Sequence, residues 1–111
     1  MAKRFQRVVL KVSGERLSKP GELGIDPAEL GLLADEVASA FRSAAPLQLA
    51  IVVGGGNLNR GARLAATGTI DQSTADYMGM LGTVINGLAL KEALAHQGIE
   101  ARVMSAINLT A

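Results

Sequence analysis

The chain has 111 residues, 49% of them apolar and 3% aromatic, and its 11 Lys and Arg against 10 Asp and Glu leave a formal charge of +1. That length supports one domain around one core, and near neutrality excludes a broad nucleic-acid face or an affinity for anionic membrane. The absence of cysteine removes disulfides, thiolate metal sites and cysteine nucleophiles together, and a cytoplasmic location is expected. The basic opening MAKRFQR leads only to the short apolar run Val8 to Leu10, cut by Lys11, so no signal sequence is expected. No stretch approaches the roughly 18 apolar residues of a membrane span. With few aromatics and no Trp, a base-stacking platform for single strands is not expected either.

Arg7 to Val12 and Leu47 to Val53 are short apolar runs with β-branched content, the pattern of buried parallel strands. Between them, Asp26-Pro27-Ala28-Glu29 sets an N-cap acid, a proline at the first helical position and a glutamate three residues after the cap. Leu30, Leu33, Ala34, Val37 and Phe41 follow at helical spacing, and Pro46 marks the stop. Asn57 to Thr67 reads as a short helix with Gly68 as its terminator. A second start at Ser73-Thr74-Ala75-Asp76 opens a long helix whose apolar stripe is Met78, Leu81, Val84, Ile85 and Leu88, with Gly98 as its cap. Gly79, Gly82 and Gly87 inside it each cost about 1 kcal/mol relative to alanine, for which tight packing is the expected compensation. Glu100 to Ala106 reads as a third strand, and Met78, Met80 and Met104 as core filler. The order of elements argues an α/β fold, a mostly parallel sheet with helices on both faces.

Two glycine-bearing loops leave the carboxyl ends of the first two strands, Lys11-Val12-Ser13-Gly14-Glu15 and Gly54-Gly55-Gly56-Asn57. In open α/β sheets ligands bind at that edge. Glycine lets backbone N–H groups converge on an anion, and a helix starting beyond adds a favourable dipole. With Lys11 and Arg60 on the same rim, the residues describe a polyphosphate site. Each has a plainer alternative: a tight turn for the glycines, a snorkelling lysine and a solvated or carboxylate-paired arginine. Neither the Walker pattern nor the dinucleotide pattern is present, since Asn59 stands where the latter needs its third glycine. Asp76 either caps a helix reciprocally with Ser73 or accepts hydrogen bonds from sugar hydroxyls. His96, the one histidine, is expected to complement a helix C-terminus rather than to act in catalysis.

The segments KVSGE, VVGGGNLNRG, ADYMGMLGTVINGLAL and ARVMSAI, in that order, resemble the bacterial uridylate kinases of the amino-acid-kinase superfamily. The resemblance covers essentially all of residues 1–111. Family members are about twice as long, so it implies the N-terminal half of an amino-acid-kinase domain, without the half that holds the ATP base. It implies transfer of the γ-phosphoryl of ATP to UMP, with Mg2+, no protein-held metal site, and a homohexamer activated by GTP and inhibited by UTP. Carried over by position, Lys11, Val12, Ser13, Gly14, Gly56 and Arg60 would meet ATP, with Lys11 and Arg60 catalytic. Gly55 and Asp76 would hold UMP. Lys19, Pro20, Gly21, Glu22, Leu23 and Gly24, together with Lys91 and Arg102, would serve the GTP effect. The alternative expectation is a catalytically silent fragment that binds nucleotide or oligomerises.

Overall fold

The structure is a computed structural model and describes residues 5–58 and 61–107. Strand β1, Arg7–Val12, pairs in parallel with β2, Gln48–Val53, in a register that sets Arg7 opposite Gln48 and Val12 opposite Val53. Because the strands are parallel, both carboxyl ends point the same way and the two glycine loops emerge side by side.

The crossover between the strands is helix α1, Pro27–Ser43. It begins where the sequence places it: the Asp26 carboxylate accepts the Glu29 N–H at 3.1 Å, and Pro27 takes the first helical position. Leu33, Ala34, Val37 and Ala38 form its buried stripe. A short helix α2, Gly61–Ala66, ends in a turn in which Gly68 has φ +77°, a conformation only glycine adopts freely. Helix α3, Gln72–Ala95, follows, and Gly98 closes its end with φ +78°. His96 stands at the C-cap with its Nδ1 at 2.9 Å from the Glu92 carbonyl oxygen.

Val12, Leu17, Leu33, Val37, Leu90 and Leu94 make the core, and Leu49, Ile51 and Val53 pack against it from β2. Helices α1 and α3 therefore cover the sheet face that those alternate β2 residues define. The opposite face, with Val9 at 70% and Val52 at 55% exposure, is open among the described residues.

Three expectations are corrected. Residues 100–106 form no strand. The strand-like alternation survives, since Ile99, Ala101 and Val103 are half-buried while the residues between them are exposed. The backbone, however, stands off β2 across a cleft of about 850 Å3 lined by β2, α3 and this segment, so no ladder forms at the spacing of about 4.8 Å that pairing needs. Second, the apolar stripe of α3 is not its buried face: Met78, Leu81, Ile85 and Leu88 are exposed, and of the predicted stripe Val84 alone is buried. The buried residues of α3 are Ala75, Gly82, Val84, Asn86, Leu90 and Leu94: leucines meet the core at its C-terminal end, and small residues toward its N-terminal end let a loop approach closely. Third, Met80 and Met104 are also exposed and fill no core.

Candidate functional site

The two glycine loops touch. A Cβ on Gly14 would stand 2.5 Å from the Gly54 carbonyl oxygen, a separation that no side chain tolerates, and the Gly54 N–H donates to the Val12 carbonyl at 3.1 Å. Ser13 turns the chain between them: its Oγ accepts the Glu15 N–H and caps a single 3-10 turn, Gly14–Leu17. Gly55 in turn lies on α3, where an added Cβ would be 3.0 Å from both the Gly82 carbonyl carbon and the Thr83 nitrogen. The glycines of α3 thus have the packing that compensates their helix cost: Gly79 and Gly82 receive Gly55, and a Cβ on Gly87 would meet Val103 at 3.4 Å.

This contact forms one wall of a cleft of about 470 Å3, lined by Gly55, Gly56, Gln72, Asp76, Gly79 and Thr83 among others, a size within the range of small-molecule sites. Three of the residues singled out in the sequence, Gly55, Gly56 and Asp76, come together here. Asp76 is not a capping residue: α3 starts two residues earlier than its sequence signal at Ser73, with Asp71 at the N-cap. Its carboxylate is exposed and accepts a hydrogen bond from Gln72 Nε2 at 2.8 Å. That leaves the remaining lone pairs of an acceptor-only group facing an open cleft.

The ATP-side residues sit differently. Alternation along β1 buries Val12 and puts Lys11 on the open sheet face, across from Val52. Neither Lys11 nor Ser13 lines the cleft, and among the described residues Lys11 makes no ion pair. Arg60 lies outside the described residues. Glu15, which the sequence reading passed over, brings its Oε1 to 3.0 Å from where a Gly56 Cβ would be, so a carboxylate overhangs the second glycine loop.

The eight residues assigned to the GTP effect divide into a pair that lines a cleft and a loop that does not. Lys91 and Arg102 both line the cleft beside β2, whereas residues 19–24 line neither cleft. That loop is a turn with Pro20 and Gly21 at its centre, Gly21 at φ +76°, closed by the Glu22 N–H donating to the Lys19 carbonyl. Lys19 pairs with Asp26 at 3.7 Å. Leu23 is exposed, and Gly24, at φ +93°, is tied to Asn57 by two hydrogen bonds.

Sequence reasoning missed Asn57 and Asn86, which are 1% and 0% exposed and share hydrogen bonds beneath the loops. The available signal was an amide at position 86 within an otherwise apolar stretch of helix.

A parallel α/β unit with paired glycine loops at the strand ends and a cleft beside them that holds Gln72, Asp76 and Thr83 is the architecture of a phosphate-binding domain. The chain belongs to the amino acid kinase family, whose model matches residues 6–111. It is 54% identical over 106 residues to the uridylate kinase of Zymomonas mobilis, which covers 96% of this chain and 43% of that protein. It is 53% identical over 105 residues to the uridylate kinase of Rubrobacter xylanophilus, covering 95% of this chain and 40% of that protein. Among solved structures, the UMP kinase of Ureaplasma parvum matches with a TM-score of 0.80 at 39% identity, over 93% of this chain and 44% of that one. The UMP kinase of Bacillus anthracis matches with 0.75 at 35% identity, over 84% and 37%. The chain thus spans about two-fifths of the length of the curated relatives it matches. No helix among the described residues is long and apolar enough to cross a membrane.

Proposed function

We propose that this chain supplies the UMP-binding side and the phosphate loops of a nucleoside monophosphate kinase that transfers the γ-phosphoryl of ATP to UMP, giving UDP and ADP. The observation that carries the reading is the gathering of Gly55, Gly56 and Asp76 in one cleft against α3, in a chain similar to proteins named uridylate kinase.

In this reading Asp76 accepts hydrogen bonds from the sugar hydroxyls of UMP, while the Gly55 N–H turns toward its phosphate and Gly56, next in the loop, meets the ATP side. A UMP phosphate oxygen forms the new bond to the γ-phosphorus, the bond from that phosphorus to the bridging oxygen breaks, and ADP leaves with the electron pair. The attacking oxygen is already anionic, so no protein base is needed. Catalysis then rests on positioning and charge. Lys11 neutralises charge on the transferred group from the open sheet face, Arg60, four residues after Gly56 in the sequence, serves the ATP phosphates, and Val12, Ser13 and Gly14 line the ATP side. Mg2+ arrives as part of the MgATP substrate. A carboxylate already stands at the second loop in Glu15, which fits an ion held by one or two carboxylates and substrate phosphates.

Self-association belongs to the same proposal. Tyr77, Leu81, Ile85 and Leu88 are exposed on α3 at spacings of 4, 4 and 3 residues, one continuous apolar stripe of the kind that marks an interface.

The test is a chimera in which this chain replaces the matching stretch of the Zymomonas mobilis relative. UMP-dependent ADP formation within about tenfold of the parent is expected, and its loss on Lys11→Ala. A folded chimera with no UMP-dependent turnover would sink the reading.

A second reading, a nucleotide-binding or self-associating module without turnover, is favoured by the open apolar face around Val9 and Val52. A coupled assay on the 111-residue chain separates the two. Turnover comparable to that of a relative rules out the silent module.

A further inference from the structure

A buried amide is costly unless every donor and acceptor is matched. Asn57 and Asn86 meet that condition in full. Asn86 Nδ2 donates to Asn57 Oδ1 at 2.6 Å and Asn57 Nδ2 donates back to Asn86 Oδ1 at 3.2 Å, so the two carboxamides form a closed ring. Each has one N–H left over. That of Asn86 goes to the Gly54 carbonyl at 2.8 Å, and that of Asn57 to the Gly24 carbonyl at 2.9 Å. The orientation of both amides follows from the network: turning either one over would set NH2 against NH2 and an oxygen against a backbone carbonyl.

The ring is also where both glycine loops are seated. A Cβ on Gly14 would fall 2.7 Å from Asn57 Oδ1, and Gly54 hangs on Asn86 directly. Asn86 lies ten residues after Asp76 on α3, about 15 Å along one rigid helix. The bond from Asn86 to Gly54, together with the seat of Gly55 on Gly82 and Thr83, fixes how far the loop stands from the Asp76 carboxylate.

We propose that Asn86 is a positioning residue which, through Gly54 and the amide ring with Asn57, sets the placement of Gly55 and Gly56 against Asp76 and thereby the fit of a nucleoside monophosphate. The ligand part of this inference rests on the kinase reading; the loop placement does not.

Amide hydrogen exchange followed by NMR in the ligand-free 111-residue chain tests the placement. In Asn86→Asp, which keeps the size and loses both donors, the Gly54 and Leu58 amides, bonded to Val12 and Gly55, should exchange at least about tenfold faster. The Ile99 amide, bonded to Leu94 at the far end of α3, should change less than about twofold. UMP affinity should fall at least about tenfold at a temperature where the variant is fully folded. Should the variant not fold, the wild-type side-chain amides decide: those of Asn57 and Asn86 should exchange at least about a hundredfold more slowly than exposed asparagine amides. Uniform loosening of the whole chain, no response at Gly54 and Leu58, or side-chain amides exchanging at the exposed rate would each overturn the proposal. A responsive loop with unchanged UMP affinity overturns its ligand part. If the wild-type chain binds no UMP, the kinase reading fails while the exchange data still decide the placement.

Discussion

Gly55 and Gly82 meet backbone to backbone: a Cβ on Gly55 would stand 3.0 Å from the Gly82 carbonyl carbon. The neighbouring atoms belong to a helix backbone and cannot swing aside. Gly55→Ala should therefore push the loop off α3, costing about 1–3 kcal/mol of stability and weakening UMP binding at the same time. Chemical denaturation and a UMP titration on the same sample check both. A variant as stable as the parent would mean that the loop has slack at this point.

Gly14 and Gly31 make a sharper comparison, because both are glycine to alanine changes within one chain. At Gly14 the added methyl meets the Gly54 carbonyl oxygen at 2.5 Å, whereas at Gly31, inside α1, it meets nothing within 4 Å. Gly14→Ala should destabilise by about 1–3 kcal/mol, and Gly31→Ala should stabilise by about 0.5–1 kcal/mol through helix propensity. Thermal unfolding of the pair should move the midpoints in opposite directions.

Asp76→Asn keeps the shape and gives up the charge. The side chain is exposed and, among the described residues, bonded only to Gln72, so stability should change by less than about 0.5 kcal/mol. If the carboxylate holds the sugar hydroxyls of UMP, affinity for UMP should weaken by about 1.5–3 kcal/mol. Calorimetric titration reads the second quantity. An unchanged affinity would reduce Asp76 to a helix-surface pair with Gln72.

How much of this could be read from the sequence depended on the range of the interaction. The start of α1 was legible because Asp26 bonds to Glu29, three residues away, and Gly68 and Gly98 were legible as terminators because their requirement for positive φ is local. The glycine loops were legible as a pair because parallel strands must end on the same edge. The third strand was half legible: alternation is local, but a ladder depends on where β2 lies in space. Helix α3 misled because it is apolar on more than one side, so periodicity could not say which side faces inward. Asn57 and Asn86, 29 residues apart, were invisible as a pair, since nothing local tells a buried amide from an exposed one.

The stripe of Tyr77, Leu81, Ile85 and Leu88 predicts self-association through α3. Ile85→Glu would set like charges against each other across a symmetric contact, so light scattering should show dissociation to monomers while circular dichroism stays that of the parent. Unchanged mass would move the interface elsewhere on the chain.

The central claim is that the cleft between the glycine loop and α3 receives UMP, and the most direct measurement is a UMP titration of the isotopically labelled chain followed by amide chemical shifts. Saturable changes should cluster at Gly55, Gly56, Gln72, Asp76 and Thr83, which are among the residues lining the cleft of about 470 Å3. Shifts confined to the other cleft, around Lys91 and Arg102, or no saturable shift at all, would contradict it.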